Sequence, residues 1–336
     1  MIREHVTLKD IAKKLNLSVS TVSRALSDLP IINEETKKKV LLAAKEMDYH
    51  PNLFAKFLKT KSSNTIGVVV PDLEMHFFSS CISGMQNTCL ENGYNLIICQ
   101  SNESLEQEKF NIKTLQDSRV DGILISLSRE TNSFDHLEQL KDHQIPFVYF
   151  DRVHENGPYS QVVINDEESS FEATEYLIHK GYKKIAFLCG PKILSICKNR
   201  LMGYQNALRN HQMDFNTDWV LESDLSRAST EVCIDNYLRL NDRPDAILAI
   251  NDIVAINCIR HLKKKGIKIP KEMAVMGFSN SPVSEVIEPN LTTVEQPSFD
   301  MGKLAALRLL EEIRNPNLMS QKIFTLNTKI IERDST

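Results

Sequence analysis

The sequence predicts a chain of two parts: a small all-α segment at the N-terminus, then a larger α/β body built on parallel sheets. Three observations lead there. Apolar residues recur at helical spacing through the first sixty or so positions, then give way to short apolar runs of strand length alternating with helical patterns. Charge changes sign at the same place, with twelve Lys and Arg against seven Asp and Glu in residues 1–62 and 28 against 37 in the rest. Finally, 336 residues is more than one hydrophobic core comfortably holds.

Composition narrows the function classes. At 42% hydrophobic and 25% charged the chain is an ordinary globular one, and its apolar runs, such as 66–70, are far too short to span a bilayer. The N-terminus lacks a charged patch followed by an apolar stretch, so no export signal is expected and the expected location is cytoplasmic. Seven cysteines, an odd number with no C-x-x-C pair, read as reduced thiols, mostly in the core. The nine histidines form no H-E-x-x-H or H-x-x-x-H pattern, so no metal is expected. A nucleophile elbow, a dinucleotide fingerprint and a phosphate loop are all missing from the sequence, which argues against an enzyme and against a cofactor.

In the basic segment, Thr7-Leu8-Lys9-Asp10 has the form of a capping box, and Leu8, Ile11, Ala12 and Leu15 follow on one helical face. Asn16-Leu17-Ser18 breaks that pattern, and Ser18 can cap a second helix through Leu26. Two short helices joined by a tight turn make a helix-turn-helix. The second helix buries Val22 and Leu26 and leaves Ser20, Thr21, Ser23 and Arg24 outside, hydroxyls and a guanidinium fork that suit phosphates and base edges. A third helix, capped by Asn33, carries Val40, Ala43, Ala44 and Met47 as its stripe. Residues 52–58 form a short apolar helix candidate that needs a partner.

The order V-T-L-K-D-I-A, S-x-S-T-V-S-R-A-L, Y-H-P-N and A-x-x-L, starting at positions 6, 18, 49 and 55, resembles the DNA-binding headpiece and hinge helix of the lactose-repressor (LacI/GalR) family. The resemblance implies that Val19, Ser20 and Arg24 read bases, and that Thr7, Ser18, Thr21, Ser23, Asn33, Thr36 and Tyr49 contact the DNA backbone. It implies that Ala55 and Leu58 enter the minor groove, where an apolar wedge unstacks a base step and kinks the duplex. It also implies a headpiece at 1–50 and a hinge helix and linker at 51–63.

Beyond the linker, strands are expected at 65–70, 94–99, 122–126, 147–150, 184–188, 246–250 and 274–278, with helices at 77–91, 105–117, 167–180, 201–210, 252–265 and 300–314. Fully apolar strands separated by helices imply parallel sheets covered on both faces. V-V-P-D at 69, V-D-G-I-L at 120, F-D-R at 150, R-x-x-G-Y at 200, I-N-D at 250 and L-T-T-V-E-Q-P at 291 resemble the same family's effector-binding core, which is similar to periplasmic sugar-binding proteins. That likeness implies two lobes within 64–333, one at 64–162 plus 296–322 and the other at 163–295 plus 323–333.

Small polar ligands need a few placed hydrogen-bonding groups among apolar or aromatic walls, and the motif matches offer Phe77, Phe78, Asp151, Arg200, Asn251, Ser279 and Gln296. Two departures stand out. Many relatives read G-[FY]-D-D where this chain has Gly277-Phe278-Ser279-Asn280, and Leu225 stands near the family's stacking aromatic. With Ser at 279 the cleft is expected to be more positive around Arg200, which favours an anionic effector such as a sugar acid over a neutral sugar, the alternative being that Asp151 itself pairs with Arg200.

The expected function is a DNA-binding transcriptional regulator, a repressor, that binds a palindromic operator as a homodimer and responds to a carbohydrate-type effector. A dimer is preferred because no C-terminal heptad repeat follows the body. One alternative is a regulator with a vestigial cleft controlled by a protein partner. A solute-binding protein, the remote alternative, has no use for residues 1–58.

Overall fold

The structure is a computed structural model that describes residues 6–26, 30–49, 62–154, 157–315 and 321–336. The chain divides into two compact units, 1–63 and 64–336.

The first unit contains α1 (Leu8–Leu15), α2 (Val19–Leu26) and α3 (Glu34–Glu46). Helix α1 starts where Asp10 turns back on Thr7, whose backbone N–H and hydroxyl both donate to Oδ2 at 2.8 and 2.7 Å. A carboxylate is thereby placed at the positive end of the helix. Asn16 ends α1 in the left-handed region at φ 51°, a conformation that Asn tolerates better than most residues. Ser18 Oγ accepts from the Thr21 N–H at 3.0 Å and Asn33 Oδ1 from the Thr36 N–H at 2.7 Å, caps worth about 1 kcal/mol each. Ile11, Ala12, Val22, Ala25, Val40, Ala43 and Ala44 make one core. Ala25, not Leu26, is fully buried beside Val22, because a methyl group lets such short helices approach closely. The helix expected at 52–58, with Ala55 and Leu58, lies outside the described residues.

The second unit carries two six-stranded sheets. Sheet one is parallel throughout, in the order β11 (Ile323–Leu326), β5 (Gln161–Ile164), β4 (Phe147–Phe150), β3 (Gly122–Ile125), β1 (Thr65–Val70), β2 (Asn95–Gln100). Sheet two runs β12 (Lys329–Ile331), β10 (Thr292–Glu295), β9 (Ala274–Ser279), β8 (Ala246–Ala249), β6 (Ile185–Cys189), β7 (Val220–Glu222), with only the β12–β10 pair antiparallel. Helices α4 (His76–Glu91), α5 (Leu105–Asp117), α6 (Asp135–Asp142) and α11 (Ser298–Arg314) accompany sheet one. Helices α7 (Asp166–His179), α8 (Ser195–Asn210), α9 (Arg227–Arg239) and α10 (Asp252–Lys264) accompany sheet two. The central strands β1, β3, β4, β6, β8 and β9 are almost wholly buried, as crossover helices on both faces require.

The chain passes between lobes after β5, after β10 and after β11. The third passage corrects the expected boundary: residues 323–326 pair with 161–164 in sheet one, so the first lobe runs on to 326. Strand β11 is an edge strand of four residues with alternating exposure, too short and too polar on one face to announce its sheet. No described helix is long and apolar enough to cross a membrane.

Candidate functional site

Two places collect the residues singled out from the sequence. On α2, Val19, Ser20 and Arg24 are exposed and Thr21 and Ser23 half-buried, while Val22 and Ala25 hold the opposite face in the core. Ser18 Oγ lies 2.8 Å from the hydroxyls of both Ser20 and Thr21, so the N-terminus of α2 presents three linked hydroxyls. Arg24 has no partner among the described residues, leaving its fork of N–H donors open. Thr7 and Asn33 are exposed and Thr36 and Tyr49 half-buried, at the ends of α1 and α3. This face combines hydroxyl donors, helix N-termini and one guanidinium, the inventory that grips phosphates and base edges.

The second place is a cavity between the lobes. Phe77, Phe78, Asp151, Arg200, Asn251, Ser279 and Gln296 all line it, together with Met75, Arg152, Leu194, Ile196, Cys197, Leu225 and Ile250. Phe77 and Phe78 come from the first turn of α4, Asp151 and Arg152 follow β4, and Ser279 ends β9. Arg200 lies on α8, which begins at Ser195 rather than near 201. Three lining residues other than glycine sit at positive φ: Asp151 at 60°, Leu225 at 71° and Ser279 at 136°. Such backbone is costly for these residues and persists where the surroundings enforce it, a pattern typical of ligand sites. The cavity measures about 30 Å³, room for about two waters, so a larger ligand enters only as the lobes or side chains part.

Arg200 overturns the charge argument made from the sequence. Its Nε donates to Asp166 Oδ1 at 2.7 Å, its Nη1 donates to the Ile250 carbonyl at 2.7 Å, and the guanidinium lies 3.7 Å from the centre of the Phe278 ring. Asp166, itself buried in the first turn of α7, supplies the countercharge that Ser279 does not. Among the described residues that line the cavity, no uncompensated cation remains to call for an anionic ligand. Arg152 is likewise committed, with Nη1 donating to both carboxylate oxygens of Glu103 at 2.8 and 2.9 Å.

Other polar groups are only partly satisfied. Burial holds the Asp151 carboxyl up at about 7 against the opposing pull of Arg152, whose Nε is 4.0 Å away. That carboxyl accepts no hydrogen bond among the described residues. Gln296 Oε1 accepts from the Ser279 hydroxyl at 3.1 Å, but its Nε2 is buried without a partner, as is Arg152 Nε. Asn251 Oδ1 caps α10 by accepting from the Val254 N–H at 2.9 Å. Asp166 and Arg152 lie outside the expected set, although the sequence carries a signal for each. Arg152 completes F-D-R, and Ile164-Asn165-Asp166 repeats the I-N-D of 250–252, each Asn capping a helix whose first Asp is buried.

Comparison with known proteins agrees with this geometry. Residues 7–52 match the family described as bacterial regulatory proteins, lacI family, and residues 63–330 match the periplasmic binding proteins and sugar binding domain of the LacI family. The chain is 34% identical over 330 residues to the HTH-type transcriptional repressor PurR of Vibrio cholerae, covering 98% of this chain and 97% of the relative. It is 32% identical over 336 residues to PurR of Aliivibrio fischeri, with 98% of each covered. A transcriptional regulator CelR–cellobiose complex superimposes with a TM-score of 0.76 at 25% identity, over 99% of this chain and all of that one. The Lac repressor dimer bound to operator and the anti-inducer ONPF has the same fold, with a TM-score of 0.88 at 24% identity and 99% of each chain covered. The chain belongs to the LacI family of bacterial regulatory proteins and is a DNA-binding transcriptional regulator, not an enzyme.

Proposed function

We propose that the protein is a repressor that binds a palindromic operator as a homodimer and is controlled by a small neutral ligand between its lobes. The observation that carries the DNA-binding half is the face of α2, with Val19, Ser20 and Arg24 exposed beside a self-capped N-terminus. One such helix spans only a few base pairs, so two-fold symmetry is the economical way to specify a site. Thr7, Ser18, Thr21, Ser23, Asn33, Thr36 and Tyr49 then hold the DNA backbone, and Ala55 and Leu58 the minor groove. Exposed apolar side chains support a dimer: Ile97 and Ile98 on the edge strand β2, Phe110 on α5, Val232 on α9, Ile253 on α10, and Val286. An uncovered apolar edge is a liability that a second copy removes.

The cavity supports a neutral ligand because its cations already have carboxylate partners, and because the Asp151 carboxyl, held at about 7, turns negative as it ionises and then opposes an anion. The open groups are few, a carboxyl, an amide Nε2 and one guanidinium N–H, among the walls of Phe77, Phe78, Leu194, Leu225 and Ile250. A polyol would leave many hydroxyls without partners there, whereas a flat heterocycle of nucleobase type can donate to Asp151, accept from Gln296 and cover the rings. The smallness of the cavity favours a second reading, in which a protein partner and not a ligand sets the DNA affinity.

Fluorescence anisotropy with a selected palindrome and with random DNA, across a salt series, tests the first half; equal affinity for both sequences removes the repressor reading. Calorimetric titration of nucleobases, neutral sugars and uronates tests the second. Nucleobases are expected to bind most tightly and uronates least, and silence from all three classes would transfer support to the partner-controlled reading.

A further inference from the structure

Helices α7 and α8 run side by side on the second lobe, and their C-terminal ends meet away from the cavity. The two are locked together: a Cβ at Gly203 of α8 would lie 2.0 Å from the Glu167 carbonyl oxygen, so only glycine allows this approach. Asn206 Nδ2 adds a hydrogen bond to Glu167 Oε1 at 2.7 Å. Further along, Glu175 and His179 fall on one face of α7, four residues apart, and His211 caps the end of α8. One ligand atom from each of the three lies within 4.8 Å of the others. His211 Nε2 is 2.8 Å from Glu175 Oε1, and the two imidazole rings meet edge to face with centroids 5.4 Å apart.

We propose that Glu175, His179 and His211 form a site for one divalent transition-metal ion of the zinc class. Two imidazoles and a carboxylate, with water in the fourth position, are a donor set that zinc accepts in tetrahedral geometry. Tetrahedral bonds of about 2.0–2.1 Å place ligand atoms roughly 3.3 Å apart, within reach of small rotamer changes from the present spacing. Each ring keeps its proton on one nitrogen and offers the other, so the ion replaces the His211–Glu175 hydrogen bond by bridging the same two atoms. The C-terminal ends of α7 and α8 bring two sets of partial negative charge to the place where a cation would sit. Lys180, next in sequence to His179, is held by Glu332 and does not fill the position. Nitrogen donors select zinc, nickel and copper over magnesium and calcium, which prefer oxygen cages. A bound ion would pin the end of α7 to that of α8, so its effect is on the stability of this lobe.

The test uses the full-length chain after chelator treatment, kept reduced, titrated calorimetrically with zinc chloride and separately with magnesium chloride. One equivalent of zinc is expected to bind, magnesium not at all, and zinc should raise the melting temperature by about a few degrees. His179→Ala and His211→Ala should each weaken zinc binding at least about tenfold. Because His211 also bonds Glu175, the more exposed His179→Gln variant guards against a folding defect: its metal-free melting temperature should match wild type while zinc affinity falls. Cobalt(II) should give a strong four-coordinate visible band that both alanine variants lose. Zinc binding that persists unchanged in the His179→Ala/His211→Ala double variant, as cysteine ligation elsewhere would produce, overturns the proposal, as does a lack of saturable zinc binding by wild type.

Discussion

Two arginines, Arg24 on α2 and Arg200 in the cavity, show how differently the two units of this chain treat polar groups. Arg24 is exposed, its guanidinium unmatched among the described residues. Arg200 is buried, ion-paired to Asp166, bonded to the Ile250 carbonyl and stacked on Phe278. The headpiece holds its donors ready for an outside partner, while the core satisfies most of its own and leaves a few atoms open. A charge therefore predicts a partner well on the first surface and poorly in the second place, where the countercharge comes from the first turn of another helix, 34 residues away in sequence. The comparison can be broken at either end.

The largest effect is expected from Asp166→Ala, which leaves the Arg200 guanidinium buried without its carboxylate. Removing one member of a buried pair costs about 3–5 kcal/mol, so chemical denaturation should show the core strongly destabilised. Pairing it with Arg200→Leu should recover part of that loss, since the uncompensated charge is then gone. If Asp166→Ala melts like wild type, Arg200 is not held as described and the case for an anionic ligand reopens.

At the other end, Arg24→Ala should leave the melting of the core unchanged and reduce the preference for operator over random DNA. A bidentate contact to a base is worth about 1–3 kcal/mol, and a dimer uses two. A mutant that weakens binding to both DNA types equally would show Arg24 acting on phosphates alone, which shrinks the contrast with Arg200 to one of exposure.

How much of this was legible in the sequence follows the same division. Caps and apolar spacing in the headpiece are local signals, so Ser18, Asn33, Ile11 and Val40 could be placed from their neighbours. The central strands were legible because they are buried on both faces. Strands β5, β7, β10, β11 and β12 were not, being three or four residues long and mixed in polarity. Helices α6 and α9 are too polar to announce themselves, and α8 begins six residues before the expected 201. All seven expected cavity residues do line one cavity, but the pairing inside it depends on contacts across 34 residues, which no local pattern reports. Glu175, His179 and His211 escaped for the same reason, since the second imidazole comes from another helix.

A smaller effect should come from Asp151. Its carboxyl is held at about 7 by burial, well above the ordinary carboxylate value, so the folded state keeps a proton that the unfolded chain has already released. Stability then falls as pH rises from about 4 to 7, and Asp151→Asn should flatten that slope. A ligand that donates to the ionised carboxylate should bind roughly tenfold more tightly at pH 8 than at pH 6, whereas an anion should show the reverse trend. Calorimetry at the two pH values, on wild type and Asp151→Asn, separates the two classes, and a pH-independent affinity would mean that the ligand does not touch this group.

The smallest effect tests whether the headpiece is as open as Arg24 suggests, because Ser18 has both an internal and an external task. Its Oγ accepts from the Thr21 N–H and contacts the Ser20 and Thr21 hydroxyls, yet the residue is exposed on the face assigned to DNA. Ser18→Ala removes the cap, at a cost of about 1 kcal/mol, and should weaken operator binding by loosening the start of α2. Ser18→Asp keeps a capping oxygen but adds a negative charge where phosphates are expected. If capping is all that Ser18 does, the Asp variant binds operator like wild type while the Ala variant does not. If its hydroxyl also meets the DNA backbone, Asp binds worse than Ala despite a more stable helix, and the gap narrows as salt is raised.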